Sequence, residues 1–219
     1  TEDVENKWFV GSPIKVLYDY KKIGIWQLDE AEEAAKYGTK PGEIKVEDVD
    51  KNRTIDVKDR VKFKQRPDFT IGMNNSLVIK NVDFSIFAYA RVGQYINYTY
   101  NTSYKAQGLE NGSNVNYWTP ENPSNDFPRP DASVVQTSRL YFSTLGIVDG
   151  SFLKIKNINL GYTFPKSLVN KWHINQLRLY ATAQNLLTFS KIKDYDPERG
   201  GGESFPMTRQ LVLGLNLDF

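Results

Sequence analysis

The 219-residue chain has no cysteine and a single histidine, His173. The first absence removes disulfide frameworks and thiolate metal centres, and the second leaves no material for a Ser-His-Asp triad or a His-based metal site. Long apolar runs are also missing: no stretch approaches 18 residues and the mean hydropathy is -0.52, which excludes helical membrane spans. It does not exclude a β-barrel, whose strands turn every second residue to water. Charge of one sign is lacking too, since 28 basic residues face 26 acidic ones for a net of +2. No long-range field therefore argues for nucleic acid or an anionic membrane surface. No phosphate-cradling glycine motif occurs, because RGGGES lacks both the spacing and the lysine. The chain opens on Thr1 with no signal peptide, so in an exported protein residue 1 is not the expected start of the gene product.

Aromatic residues are plentiful. Thirteen tyrosines exceed what a core of this size needs, which fits aromatic girdles or a sugar-stacking surface. At the C-terminus Leu211, Leu213, Leu215, Leu217 and Phe219 alternate with Gln210, Val212, Gly214, Asn216 and Asp218. Period-2 alternation marks a strand with one greasy and one wet face, and a terminal aromatic narrows this toward a transmembrane barrel strand. A strand of about eleven residues at ~3.3 Å each, tilted ~40°, rises roughly 28 Å, close to the apolar band of an outer-membrane barrel.

Four further segments share the pattern. Leu177, Leu179, Ala181 and Ala183 oppose Arg178, Thr182 and Gln184; Ile158, Leu160, Tyr162 and Phe164 oppose Asn157, Asn159, Gly161 and Thr163. In this second segment Lys154 and Lys156 continue the apolar phase to where the strand should leave the bilayer. Earlier, Val82, Phe84, Ile86, Ala88, Ala90 and Val92 oppose Asp83, Ser85 and Arg91, and Phe69, Ile71, Met73, Leu77 and Ile79 oppose Asp68, Thr70, Asn74 and Ser76. Only Lys80 and Asn81 separate these two, a tight hairpin. The links sort by length: 80–81 and 165–175 fall at one end, 96–150 and 188–208 at the other. Outer-membrane barrels have short periplasmic turns and long extracellular loops, whereas a soluble sandwich has no reason to sort them. The expected organisation is an extracellular loop region with a short helix over 1–67, a transmembrane hairpin over 68–95, a long extracellular loop over 96–150, and three closing strands over 151–219. Five strands cannot close a barrel whose smallest form has about eight, so several chains combine or the chain is the C-terminal part of a larger barrel.

The loops carry the candidate sites. DEAEEAAKY, 29–37, reads as a short helix with acidic residues in its first turn, Gly38 at its end and a Pro41-Gly42 turn beyond. The stretch 96–150 holds four prolines between Thr119 and Ala132, too many for a membrane strand, and admits extra strand pieces at 95–100 and 134–140. Tyr117 and Trp118 suit stacking on a sugar ring or peptide, and equally suit packing the loop on its neighbours. DVDKNRTIDVKD, 48–59, places Asp48, Asp50, Asn52, the Thr54 carbonyl, Asp56 and Asp59 at the ligand spacing of an EF-hand-like calcium loop. Two departures weigh against it: Arg53 stands where the sharp turn needs glycine, and Asp59 is shorter than the usual glutamate. A loop that keeps its turn without metal is the alternative. Asp194, Asp196 and Glu198 have the look of a paired-carboxylate glycosidase site, yet a turn-forming acidic cluster is the commoner use of such residues beside glycines. No enzyme activity is expected.

The segments GIWQLDEAEEAAKYGTKPGEIKVEDVD, YWTPENPSNDFPRP, DGSFLKIKNINLGYTFP, LRLYATAQNLLTFSKIKDYDPE and MTRQLVLGLNLDF together resemble, in order, the C-terminal region of SusC/RagA-type TonB-linked outer-membrane transporters. The resemblance implies an all-β fold, the last part of an antiparallel transmembrane barrel of about 22 strands, in a Gram-negative outer membrane. The plug and the TonB-contacting segment would lie in sequence absent here. It implies import of oligosaccharides or peptides, with a SusD-like surface lipoprotein as lid, the TonB complex as energy source, the rest of the barrel and its plug as partners, and bilayer lipid around it. Trp26, Tyr117, Trp118 and Phe127 would face the lid or the ligand. Leu215, Leu217 and Phe219 would signal to the barrel-insertion machinery. No cofactor is implied. Calcium at Asp48, Asp50, Asn52 and Asp59 is the one ion the spacing admits, and Arg53 departs from the glycine usual in the family loop. A secreted glycan-binding β-sandwich and a small self-assembling pore remain as alternatives.

Overall fold

The structure is a computed structural model that describes residues 2–109, 114–135, 138–200, 202 and 207–219. In chain order its strands are β1 (Val16–Tyr20), β2 (Lys22–Ile25), β3 (Ile44–Val46), β4 (Arg60–Lys64), β5 (Phe69–Ile79), β6 (Val82–Val92), β7 (Tyr95–Asn97), β8 (Ile147–Asp149), β9 (Phe152–Thr163), β10 (Gln176–Ser190) and β11 (Gln210–Asp218). They fall into two compact units. One runs to Arg66 and resumes over Gln94–Asp149; the other contains Pro67–Gly93, Gly150–Arg199 and the C-terminal strand.

The second unit is a five-stranded antiparallel sheet in the order β11-β10-β9-β6-β5. Its register lines up mostly apolar side chains on one face and mostly polar ones on the other. Leu77, Phe84, Leu160, Ala181 and Leu213 form one row, and Asn75, Ile86, Ile158, Ala183 and Leu211 the next. The other face carries the row Ser76, Ser85, Asn159, Thr182 and Val212, where Thr182 Oγ1 donates to Asn159 Oδ1 at 2.6 Å and Asn159 Nδ2 to Ser85 Oγ at 3.0 Å. Such cross-strand pairs hold the polar face, while on the apolar face Leu211, Leu213, Phe69 and Phe189 are exposed. Lys80, with φ of 52°, turns the β5–β6 hairpin. The β9–β10 link contains a helical turn at Lys166–Val169, followed by His173 at φ 57°.

One expectation about β9 is corrected. Lys154 does not continue the apolar phase, because the sheet bulges at Lys156: Asn157 pairs with Phe87 and Gln184, but the next pairs are Ile155 with Ala88 and Leu187. The extra residue shifts the pleat by one, so Ile155 and Leu153 take over the apolar face and Lys154 joins Tyr89 and Thr188 on the polar one. On β10 the same irregularity leaves Asn185 at φ 53°.

The first unit is not the pair of open loop excursions that its polarity suggests. Both segments share one hydrophobic core of Ile25, Ile44, Val46, Tyr104, Ala106, Trp118, Phe142 and Leu145. Each large apolar side chain so buried contributes roughly 1.5–3 kcal/mol. Three two-stranded sheets frame this core: β1 with β4, β2 with β3, and β7 with β8. The expected helix appears at Ala31–Lys36 behind a 3-10 turn, and Gly38 closes it at φ 67°. The strand piece expected near 95–100 is β7, paired with Ile147–Asp149, whereas the described residues of 134–140 form no strand. Residues 136 and 137 of the latter lie outside the described residues.

Candidate functional site

Three of the four aromatic candidates point into the first unit. Trp118 is buried in the core and its Nε1 donates to Gln27 Oε1 at 2.9 Å. Trp26 is buried against Tyr37, with ring centroids 5.7 Å apart, and Lys45 Nζ lies 4.3 Å from its ring centre. Phe127 packs on the core edge-on to Tyr104. Only Tyr117, 42% exposed, presents its ring to the surroundings. The expectation that all four face a lid or ligand is therefore corrected for Trp26, Trp118 and Phe127. The physical reason lies in Gly42: a Cβ there would sit 2.7 Å from Trp118 Cε3, so the turn at Pro41-Gly42 is built to seat that ring. Tyr104, buried in the same core, has its hydroxyl pushed up to about 12 by that burial.

Arg139 secures this unit from a different direction. It donates to the carbonyls of Ala106 (2.5 Å), Asp131 (2.8 Å) and Arg129 (3.1 Å), and so ties three loop segments together. Beside it lies a cavity of about 200 Å³ lined by Thr39, Glu43, Arg129 and Leu140 among others.

In the 48–59 loop, carboxylate oxygens of Asp48, Asp50 and Asp59 lie within 4.8 Å of one another. Arg53 takes the left-handed conformation, φ 65°, that glycine would adopt more cheaply, and its N–H donates to Asp48 Oδ2 at 2.8 Å. Burial raises the Asp48 carboxyl, but backbone N–H donors and the Tyr37 hydroxyl outweigh it and hold it below the usual range. Asp59 is fully buried and accepts from Val49 N (2.7 Å) and Asp56 N (2.9 Å). Asn52 donates to Asp50 and accepts from Thr54 N.

On the polar face of the sheet, Asp83 of β6 and Arg178 of β10 bridge over β9 with bonds of 3.0 and 2.6 Å. They do so because residue 161 between them is glycine: any Cβ there would collide with both. Gly214 likewise makes room for the Tyr180 ring. Higher on the same face, Lys154 is fully buried and pairs with Asp196 and, at 3.0 Å, with Glu198, while Lys156 reaches Glu198 at 2.7 Å. Burial raises the Glu198 carboxyl, but its bonds to the two lysines outweigh that and hold it below its ordinary value. The acidic run of 194–198 forms a turn, in which Asp196 accepts from the Glu198 N–H at 2.9 Å, and two of its carboxylates are bound to lysines of β9. Sequence reasoning missed this network, whose one signal was two lysines in a strand opposite an acidic link.

Leu215 and Leu217 take their places in the apolar rows opposite Leu179 and Leu177, and Phe219 follows β11 fully exposed. An antiparallel sheet with one apolar and one hydrogen-bonded polar face, whose two outer strands have no second partner among the described residues, is a sector of a transmembrane β-barrel. No protein-family model matches the chain. It is 31% identical over 229 residues to TonB-dependent receptor P3 of Formosa agariphila, an alignment covering 95% of this chain and 22% of the receptor. It is 33% identical over 191 residues to TonB-dependent receptor SusC of Bacteroides thetaiotaomicron, covering 82% and 18%. Among solved structures, the RagAB peptide transporter superposes with a TM-score of 0.69 at 26% identity, covering 97% of this chain and 24% of that one. The chain belongs to the SusC/RagA-type TonB-dependent receptors of the Gram-negative outer membrane, and carries the sequence of their C-terminal region. It spans about a fifth of the length of the curated relatives it matches, which are receptors and transporters rather than enzymes.

Proposed function

We propose that the chain forms part of the wall and the outer mouth of an active importer of oligosaccharides or peptides, working under a SusD-like surface lipoprotein and driven by the TonB complex. The observation that carries this is the two-faced sheet: an apolar row that suits bilayer lipid backs a polar row that suits a solute path, in a chain related to SusC and similar in fold to RagAB. In this reading the short β5–β6 and β9–β10 links face the periplasm and the first unit stands outside the membrane. Tyr117 is its remaining aromatic candidate for contact with lid or solute. The plug, the remaining strands and the TonB contact belong to sequence beyond this chain, and Leu215, Leu217 and Phe219 serve barrel insertion. The test is uptake: deletion of the receptor that carries this chain abolishes accumulation of one glycan or peptide class, and the tagged receptor co-purifies with a surface lipoprotein. A strain that grows and accumulates every tested solute as before would refute the reading.

The 48–59 loop supports a second, structural role. A calcium ion held by the carboxylates of Asp48, Asp50 and Asp59 would relieve the repulsion between three acids held so close. Bound there it would brace the loop and supply no reaction chemistry. Addition of calcium should then slow amide exchange over 48–59, and Asp50→Asn should abolish that response.

A further inference from the structure

The connection from β10 to β11 is held where a long loop would be expected to stand free. Its segment 191–200 lies over the polar face of the sheet, because Lys154 shares that face with Tyr89 and Thr188 and there receives Asp196 and Glu198. Ile192 and Pro197 are buried beneath it, and Lys156 adds both its bond to Glu198 and a 5.4 Å approach to the Tyr89 ring. Two lysines against two carboxylates make a neutral cluster. A fully buried ammonium that lost its partners would be strongly destabilising, so the segment has little freedom to lift.

Between this segment and the top of β10 lies a cavity of about 360 Å³, the size of a small-ligand pocket. Thr188 and Ser190 form its floor, and Lys193, Asp194, Asp196 and Arg209 surround it. The acids are already engaged, Asp196 by Lys154 and by the Glu198 N–H, and Asp194 by contacts of its own. Among the described residues no carboxylate pairs with Lys193 or Arg209. The rim thus offers two uncommitted cations around a hydroxyl-bearing floor.

We propose that Lys154 and Lys156 clamp this segment as a fixed wall, and that the cavity behind it is a preformed subsite for a carboxylate of the imported solute. The inference rests on the import reading and deepens it. A carboxylate reaches such a site from an acidic or C-terminal peptide group or from a uronic acid, and either would complete the ion pairs that Lys193 and Arg209 lack. Preorganisation by the clamp means that the site need not be ordered at each binding event.

The experiment uses the complete receptor in its own outer membrane. Uptake is measured for labelled oligopeptides ending in carboxylate or amide, and for galacturonate or neutral galactose oligomers. Lys193→Gln with Arg209→Gln should raise KM about tenfold for one of the two carboxylate probes, the scale of one lost charge-assisted hydrogen bond, and leave its Vmax and the neutral probes unchanged. Which probe responds identifies the source of the carboxylate. An unchanged KM for both, in a strain whose deletion control has lost uptake, overturns the subsite alone; a deletion control that loses nothing overturns the import reading. The clamp has its own readout. Lys154→Met, and separately Asp196→Asn with Glu198→Gln, which leaves β9 intact, should let trypsin cut whole cells at Lys191, Lys193 or Arg199 while the barrel keeps its heat-modifiable gel mobility. Protection equal to wild type in both variants overturns the clamp.

Discussion

Two neighbouring positions on β11 provide a direct test of the face assignment. Leu211 ends the row Asn75, Ile86, Ile158 and Ala183, which lies midway between the Tyr162 row and the Leu153–Phe189 row of the apolar face. Those flanking rows carry aromatics, as the two interfacial girdles of a barrel do, so the Leu211 row falls near the bilayer midplane. Val212 belongs to the opposite row, beside Thr182 and Asn159. Leu211 is 73% and Val212 43% exposed within this chain, so neither substitution overpacks a core. Arginine on the lipid face at the midplane costs about 2–4 kcal/mol, and on the polar face its guanidinium stays in water. Leu211→Arg should therefore lower the folded-to-unfolded ratio by roughly 30-fold to 1,000-fold and Val212→Arg by less than about tenfold. Urea titration of the complete receptor in lipid vesicles, followed by heat-modifiable mobility, measures both. Equal losses, or a greater loss for Val212→Arg, would refute the assignment of lipid to the leucine face.

Four further outcomes follow from the same geometry. Gly161→Ala should separate Arg178 from Asp83 and destabilise the sheet by about 1–3 kcal/mol, and in an Asp83→Ser background most of that loss should vanish in a double-mutant cycle. Trp118→Ala removes a core ring and should cost about 3–5 kcal/mol in the first unit, whereas Tyr117→Ala should stay within about 0.5 kcal/mol by amide exchange; comparable losses would reverse their roles. Because the folded Glu198 carboxyl is held below its ordinary value, its contribution is complete at neutral pH, declines as pH falls past about 4.3, and is gone below the folded value. Pepsin cleavage within 191–200 should accordingly appear only on the acid side of that window, and cleavage that began near neutrality would contradict the ion-pair account. Asp59→Asn should loosen the 48–59 loop even without calcium, since the buried carboxylate accepts two backbone N–H groups; amide exchange at Val49 and Asp56 reports it.

The strands were legible because a barrel wall imposes the simplest of sequence rules. Phe69–Ile79 and Val82–Val92 each keep one phase from end to end, and their observed bounds coincide with the apolar alternation. What could not be read is where the rule breaks. A bulge at Lys156 changes no residue type, yet it moves Lys154 from the face that alternation assigns it to the opposite one. Its only trace is that a lysine stands in an apolar phase, and the simplest reading of such a lysine is that the strand has left the membrane. The aromatic loop residues misled for a related reason. Proline-rich polar sequence marks irregular backbone, but irregular backbone also needs a core, and Trp118 and Trp26 fill it. Solvent-facing and core-facing aromatics have the same composition and no period to tell them apart.

The bulge also explains why the clamp and the sheet need each other. If the pleat ran regularly through Lys156 instead of bulging there, Lys154 would project on the lipid face, where an unpaired ammonium costs several kcal/mol, and the carboxylates of 196 and 198 would lose it as a partner on their side of the wall. With the bulge, one irregularity places a cation at the upper rim of the polar face, one acidic link covers it, and the apolar rows continue above without interruption through Leu153 and Phe189. Because Asn157 already pairs with Phe87 and Ile155 with Ala88, deleting Lys156 should straighten the strand while leaving Lys154 on the polar face, so loop protection and membrane assembly should both persist apart from the lost bond to Glu198. Loss of both would instead mean that the face on which Lys154 lies is not set by this register.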